Sequence, residues 1–234
     1  MSRVASEPAL VLHLRPYRET SAIVSLLTLH HGRVAVVGRG VRGNKRGNAL
    51  QPFSRIRASW SGRASLGTLT GYDVESSGTP GPKALPAGFY VLELITRLVG
   101  EHESVPAIYA GACWCLDRLV LCDRPADVAL RCFEKLLLEE LGYGLDFRQE
   151  AETGEPISAG EHYRYWQDSG FRRVDEPEDG SYPGFALLQI EDETYGSRES
   201  RIAARRLFRD ALAPLLGPRP LASRQLLSGR GQRV

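Results

Sequence analysis

Residues 37–53 read VGRGVRGNKRGNALQPF, a glycine-studded stretch carrying Arg39, Arg42, Lys45 and Arg46 with no carboxylate among them. Glycine lets a backbone bend to a partner's contour, and four cations hung on such a backbone are suited to following a phosphodiester chain. Gly38, Gly40 and Gly43 also satisfy the GxGxxG spacing of a dinucleotide-binding turn. That chemistry needs a helix opening at the third glycine, so that its N-terminus meets the pyrophosphate, and an acidic residue about twenty positions on. Residues 44–48 contain Gly47 and no apolar period, and residues 56–63 hold no acid. The dinucleotide reading fails on context, and no glycine–lysine pair followed by Ser or Thr offers a phosphate loop in its place.

Other catalytic patterns are equally thin. His13, His30, His31, His102 and His162 are scattered without ligand spacing, and no Ser or Cys sits in a nucleophile elbow. Glu139 and Glu140 are neighbours on a predicted helix, so they diverge by about 100° and cannot serve one substrate as acid and base. Cys113, Cys115, Cys122 and Cys132 fall in predicted helices, without the paired spacing of a zinc site, and read as small core residues. Triads assemble from distant residues, which leaves an enzyme open without supporting one. No metal and no cofactor is expected.

The net charge of +2 conceals a strong asymmetry. Residues 1–80 carry eleven Lys and Arg against four Asp and Glu; residues 81–144, six against nine; residues 145–195, four against thirteen; residues 196–234, nine against two. A polyanion responds to potential within a Debye length of roughly 8–10 Å, so two basic ends can bind nucleic acid although the whole is nearly neutral. The bland alternative is a solvated surface, with an Arg excess set by base composition. There is no apolar segment behind a basic start and no apolar run near 18 residues, which disfavours secretion and membrane spanning. A cytoplasmic, nucleoid-associated protein with reduced thiols is expected.

Positioning these residues requires elements. Alternating, β-branched stretches at 9–14, 22–29, 33–38, 55–60 and 65–74 predict five strands, with a tight turn at His31 and Gly32. Five short strands with a long third connection predict a small closed barrel of the OB type over residues 1–80. Tyr17, Phe53, Trp60 and Tyr72 are interleaved with its cations; any of them exposed could stack a base, although Phe53 and Trp60 are expected in the core. Pro80, Pro82 and Pro86 mark a boundary, after which helical spacing runs through Phe89–Val99, Ile108–Cys122 and Val128–Leu141. Gly142 supplies a left-handed stop. The first helical part is thus 81–146. Residues 147–195 read as an acidic insert of short strands and loops, and 196–234 as a closing helix, ended by Gly217 and Pro218, with a basic tail. Arg198, Arg201, Arg205 and Arg209 form a second basic stripe on that helix. The fold class is α+β: a barrel, then a mainly helical domain with a small irregular insert.

Several fragments resemble the RecO family of bacterial recombination and repair mediators. They are Arg18-Glu19-Thr20-Ser21, His31-Gly32-Arg33, the glycine-basic stretch, Gln51-Pro52-Phe53, Gly62-Arg63, Leu141-Gly142-Tyr143-Gly144, Gly154-Glu155-Pro156, Tyr163-Arg164-Tyr165, and Pro220-Leu221 with Ser223-Arg224. Each is weak alone, and their order makes the set specific. The resemblance implies an OB barrel joined to a helical domain, binding of single- and double-stranded DNA, strand annealing, and partnership with RecR and with the C-terminal tail of single-stranded DNA-binding protein. Some members carry a four-cysteine zinc element in the region matching 147–195; this chain has no Cys there, so zinc is not carried over. An Arg in an Ala-Leu-Arg-x-Phe stretch is associated in the family with the tail pocket. It matches Arg131, with Phe133 beside it. A guanidinium next to an apolar groove can hold a terminal carboxylate. Pairing of Arg131 with Glu134 or Asp127 on its own helix is the alternative.

The leading expectation is therefore a non-enzymatic mediator in which Arg33, Arg39, Arg42, Lys45, Arg46 and Arg63 neutralise phosphates, with Arg205 and Arg209 as additions. An RNA- or tRNA-binding OB protein, and an enzyme handling nucleotides through the glycine stretch, are the competing readings.

Overall fold

The computed structural model describes residues 3–41, 50–62, 66–121 and 126–228, which form two compact units: 1–126 with 219–234, and 127–218. In the first, β1 (Arg3–Tyr17), β2 (Ser21–Thr28), β3 (Gly32–Gly38), β4 (Arg55–Ser61) and β5 (Gly67–Ser76) close a barrel in the order β1-β2-β3-β5-β4. One long strand makes the closure possible. The first half of β1 pairs with β4 and the second half with β2, and register shifts between Val4 and Glu7 and between Val11 and His13 bend it around the ring. Inward positions alternate as the sequence predicts, so Val24, Leu26, Val34, Val36, Ile56, Ala58 and Trp60 fill the interior.

The segment before β4 is tied across β1. The Phe53 amide donates to the Val11 carbonyl at 3.0 Å and the Val11 amide to Ser54 at 2.9 Å. Phe53 turns inward against Phe89, ring centroids 5.0 Å apart. A side chain at Gly88 would lie 2.9 Å from the Phe53 ring, so glycine there is what lets α1 (Leu85–Leu98) approach. Helices α2 (Pro106–Leu121) and α6 (Ala222–Ser228) complete this unit. The start of α6 is capped from far away in the chain. The Glu93 carboxylate accepts from the Ala222 and Ser223 amides, both at 2.8 Å, and from the Ser223 hydroxyl at 2.6 Å. Burial alone would raise the Glu93 carboxyl, but these donors outweigh it and hold it below its ordinary value.

The second unit holds α3 (Ala126–Glu140), a sheet of order β7-β6-β8, and α4 (Gly184–Glu191) and α5 (Arg198–Leu216). Helix α3 ends in a Schellman turn: Gly142 at φ 81° donates to the Glu139 carbonyl and Tyr143 to Leu138. The sheet comprises β6 (His162–Trp166), β7 (Gly170–Val174) and β8 (Tyr182–Pro183). Phe147, Phe171, Tyr182 and Phe208 meet beneath it as an aromatic core. Helix α4 stands where the sequence predicts only strands and loops. Its eight residues, GFALLQIE, lack a capping side chain and a polar face, and Gly184 seats it with no room for a Cβ against the Ser158 carbonyl.

The insert is also tied together by one carboxylate. Buried Glu150 accepts from the amides of Glu152 at 3.0 Å and Thr153 at 2.6 Å, and from the Thr153 hydroxyl at 2.7 Å. The Arg173 amide of β7 donates to it as well. No group of three or more potential metal ligands occurs among the described residues, and no described helix is long and apolar enough to cross a membrane.

Candidate nucleic-acid interface

Strand register assembles one rim of the barrel from segments distant in sequence. Tyr17 faces Ser21 across the β1–β2 turn, Ala22 faces Gly38, Val37 faces Thr68, and Thr68 faces Ser61. Residues 17–21, the exit of β3 and the start of β5 therefore stand side by side. They surround an open depression of about 480 Å³ lined by Tyr17, Arg18, Thr20, Ser21, Val37, Arg39 and Thr68. Two guanidinium groups and four hydroxyls around one hollow form a donor-rich surface fitted to phosphate oxygens. Arg18 lies over the Tyr17 ring, 5.3 Å from its centroid, and Arg39 is exposed.

Arg42, Lys45, Arg46 and Arg63 lie outside the described residues. Val41 and Leu50, at the two ends of residues 42–49, are both buried in the barrel core. Arg63 follows Gly62, directly after Ser61 of the rim.

Arg33 is placed differently. It sits at the opposite end of β3, about 20 Å from Arg39 at roughly 3.3 Å per residue. Its Nε donates to the Val99 carbonyl at 3.1 Å and its Nη1 lies 3.5 Å from Glu101. Arg55 is engaged by Asp117 at 2.7 Å and by the Cys113 carbonyl at 2.6 Å, and Arg57 forms a surface bridge to Glu75 at 2.7 Å. Arg33, Arg55 and Arg57, three of the eleven cations counted in the first 80 residues, are thus paired with carboxylates, whereas Arg39 projects from the rim. Trp60 is buried on its strand, Phe53 is buried in the turn before β4, and Tyr72 packs partly buried against the barrel core, so of the four aromatics Tyr17 is the one that lines the depression.

Comparison with known proteins gives this geometry its context. The family model described as "Recombination protein O N terminal" matches residues 1–77, and "Recombination protein O C terminal" matches residues 81–225. The chain belongs to the RecO family. Proteins named "DNA repair protein RecO" from Cellvibrio japonicus and Coxiella burnetii are 38% and 39% identical to it, over 97% and 96% of this chain and 98% of each relative. The one from Pseudomonas aeruginosa is 39% identical over 98% of this chain and 97% of its own. Membership in a family of DNA repair and recombination proteins accords with a barrel of OB type followed by helices.

In the second unit of this RecO-family chain, Arg205 and Arg209 lie exposed one turn apart on α5. Arg201, between them and the helix start, is engaged by Asp127 at 3.3 Å and by the Tyr195 carbonyl at 3.2 Å. Arg131 and Phe133 are buried, at 6% and 1% exposure. The Arg131 guanidinium pairs with Glu134 at 2.8 Å, and its Nε reaches the Asp127 carbonyl at 3.4 Å. The rim residues that sequence reasoning did not assign to a site are Arg18, Thr20, Ser21 and Thr68. Their fragment stands out in the sequence, but only the pairing of Ala22 with Gly38 sets it beside Arg39.

Proposed function

We propose that this protein is a DNA repair and recombination mediator that works by binding and not by making or breaking bonds. The barrel rim holds the sugar-phosphate backbone of single- and double-stranded DNA, screens the repulsion between two complementary strands so that they anneal, and helps load a recombinase onto DNA coated by single-stranded DNA-binding protein. The observation that carries this is the gathering of Arg18, Arg39 and four hydroxyls around one open depression. Phosphates met by cations and hydroxyls are bound without regard to sequence. Arg205 and Arg209 are further phosphate contacts in this reading. Arg33 is left out, because its guanidinium is internally engaged.

Family membership supplies the partners of the proposal: RecR, and the acidic C-terminal tail of single-stranded DNA-binding protein. For Arg131 to hold that tail's carboxylate, Glu134 has to release it, with Phe133 packing the apolar end. A tail peptide then binds the wild type and not a variant in which Arg131 is replaced by Lys, which keeps the charge and loses the fork.

Annealing of complementary oligonucleotides tests the central reading. The wild type should accelerate it, and replacing Arg18 and Arg39 by Ala should remove most of the acceleration. Equal annealing by both proteins would refute the rim. Competition between matched DNA and RNA strands separates the RNA-binding alternative, which predicts a strong preference for RNA.

A further inference from the structure

The insert carries a second surface with its own chemistry. On β6 and β7, Arg164 faces Arg172 and Trp166 faces Gly170. Alternation puts His162, Arg164 and Trp166 on one side of the sheet together with Gly170, Arg172 and Val174. On the other side Tyr163 and Phe171 are buried. Trp166 is 49% exposed, although a large aromatic ring is normally drawn into a core. The Arg164 and Arg172 guanidinium carbons lie 5.5 and 5.8 Å from its ring centroid. Gly170, at φ 93°, places no side chain opposite the indole. Arg172 makes no ion pair among the described residues, and its Nε is buried without a hydrogen-bond acceptor. Arg164 is held by Glu178 at 2.9 Å, but both side chains are nearly half exposed, so the pair is a weak surface bridge that another anion can replace.

We infer that this face of the insert is a binding site for single-stranded nucleic acid, in which Trp166 stacks on one unpaired base while Arg164 and Arg172 meet the flanking phosphates. This rests on the reading of the chain as a DNA-binding mediator and adds to it a contact outside the barrel. An exposed indole offers a flat π-face to any base, and the two guanidinium groups beside it are the cations that meet phosphates on an insert that is acidic as a whole. Bases inside a duplex present no free face, so the site discriminates single from double strands. A purely cationic surface does not.

The test uses the full chain and a labelled oligothymidylate, alongside a duplex of equal length. Trp166→Ala should weaken single-strand binding about 5- to 150-fold, the worth of one base–aromatic stack, and leave both duplex binding and the salt slope unchanged. Trp166→Phe should retain most of the affinity, and Glu178→Gln should raise it by freeing Arg164. Quenching of tryptophan emission by the oligonucleotide should vanish in Trp166→Phe and persist in Trp114→Phe, which alters the other exposed tryptophan. If Trp166→Ala binds single strands like the wild type while the Arg18 and Arg39 double alanine variant is weakened, the insert site is wrong and the rim stands. If neither variant is weakened, both fail. If an acidic peptide quenches Trp166 and the oligonucleotide does not, the surface belongs to a protein partner and the inference is overturned.

Discussion

Replacing Arg39, Arg42, Lys45 and Arg46 together by Ala gives the sharpest quantitative expectation. Each phosphate neutralised on a single strand contributes about 0.7 to the slope of log affinity against log salt. Removing four such contacts lowers the magnitude of the slope by about 2.8, whatever Arg18, Arg63, Arg205 and Arg209 contribute. Between roughly 50 and 200 mM salt, wild-type affinity should therefore fall about 50 times further than that of the variant. Fluorescence anisotropy with a labelled single strand across that range measures both. Arg33→Ala is the internal control: its guanidinium donates to the Val99 carbonyl and faces Glu101 at the far end of β3, so its loss should leave the slope where it was. A slope unchanged in the quadruple variant, or reduced as much by Arg33→Ala, would refute the assignment of phosphate contacts to this rim.

Two further expectations concern the second unit. Arg131→Ala removes the 2.8 Å partner of the Glu134 carboxylate, which is 1% exposed, and the loss of one member of a buried pair should cost about 3–5 kcal/mol in urea unfolding. A loss under about 1 kcal/mol would show that the pair does not order α3. For Glu150, burial alone would raise the carboxyl, but donors from Thr153, Glu152 and Arg173 outweigh it and hold it below its ordinary value. A carboxylate depressed in the folded state contributes stability that is fully present above its unfolded value, near 4.5, and is lost as pH falls through the folded one. Glu150→Gln should thus be about 1–3 kcal/mol less stable than wild type at pH 7, and the gap should shrink below about pH 4. A gap that stays constant down to pH 3 would contradict this account.

How far the fold is legible in the sequence depends on how local its causes are. The five strands could be read because inward Val, Ile, Leu and Ala alternate with polar residues, and the end of α3 because Gly142 is the residue that tolerates φ 81°. Helix α4 could not: it is short and capless, and its position is fixed by contacts of Gly184 with Ser158 that no periodicity reports. Helix α6 is capped by Glu93, 129 residues away from Ala222. The site divides in the same way. Arg39 is legible as part of a cationic, glycine-rich stretch, whereas the roles of Arg18 and Arg33 follow from register, which brings one to the rim and carries the other to the opposite end of β3. Charge counting alone treats both as equal, and it equally misses that Arg55 and Arg57 are occupied by Asp117 and Glu75.

Photo-crosslinking of a short single strand to the full chain, with the attached peptides identified, tests most directly whether the rim is the seat of binding. Attachments should concentrate in 17–21, 39–50 and 62–68. Attachments that spare all three segments and fall instead around Arg33 and Glu101, or on α5 alone, would contradict the account.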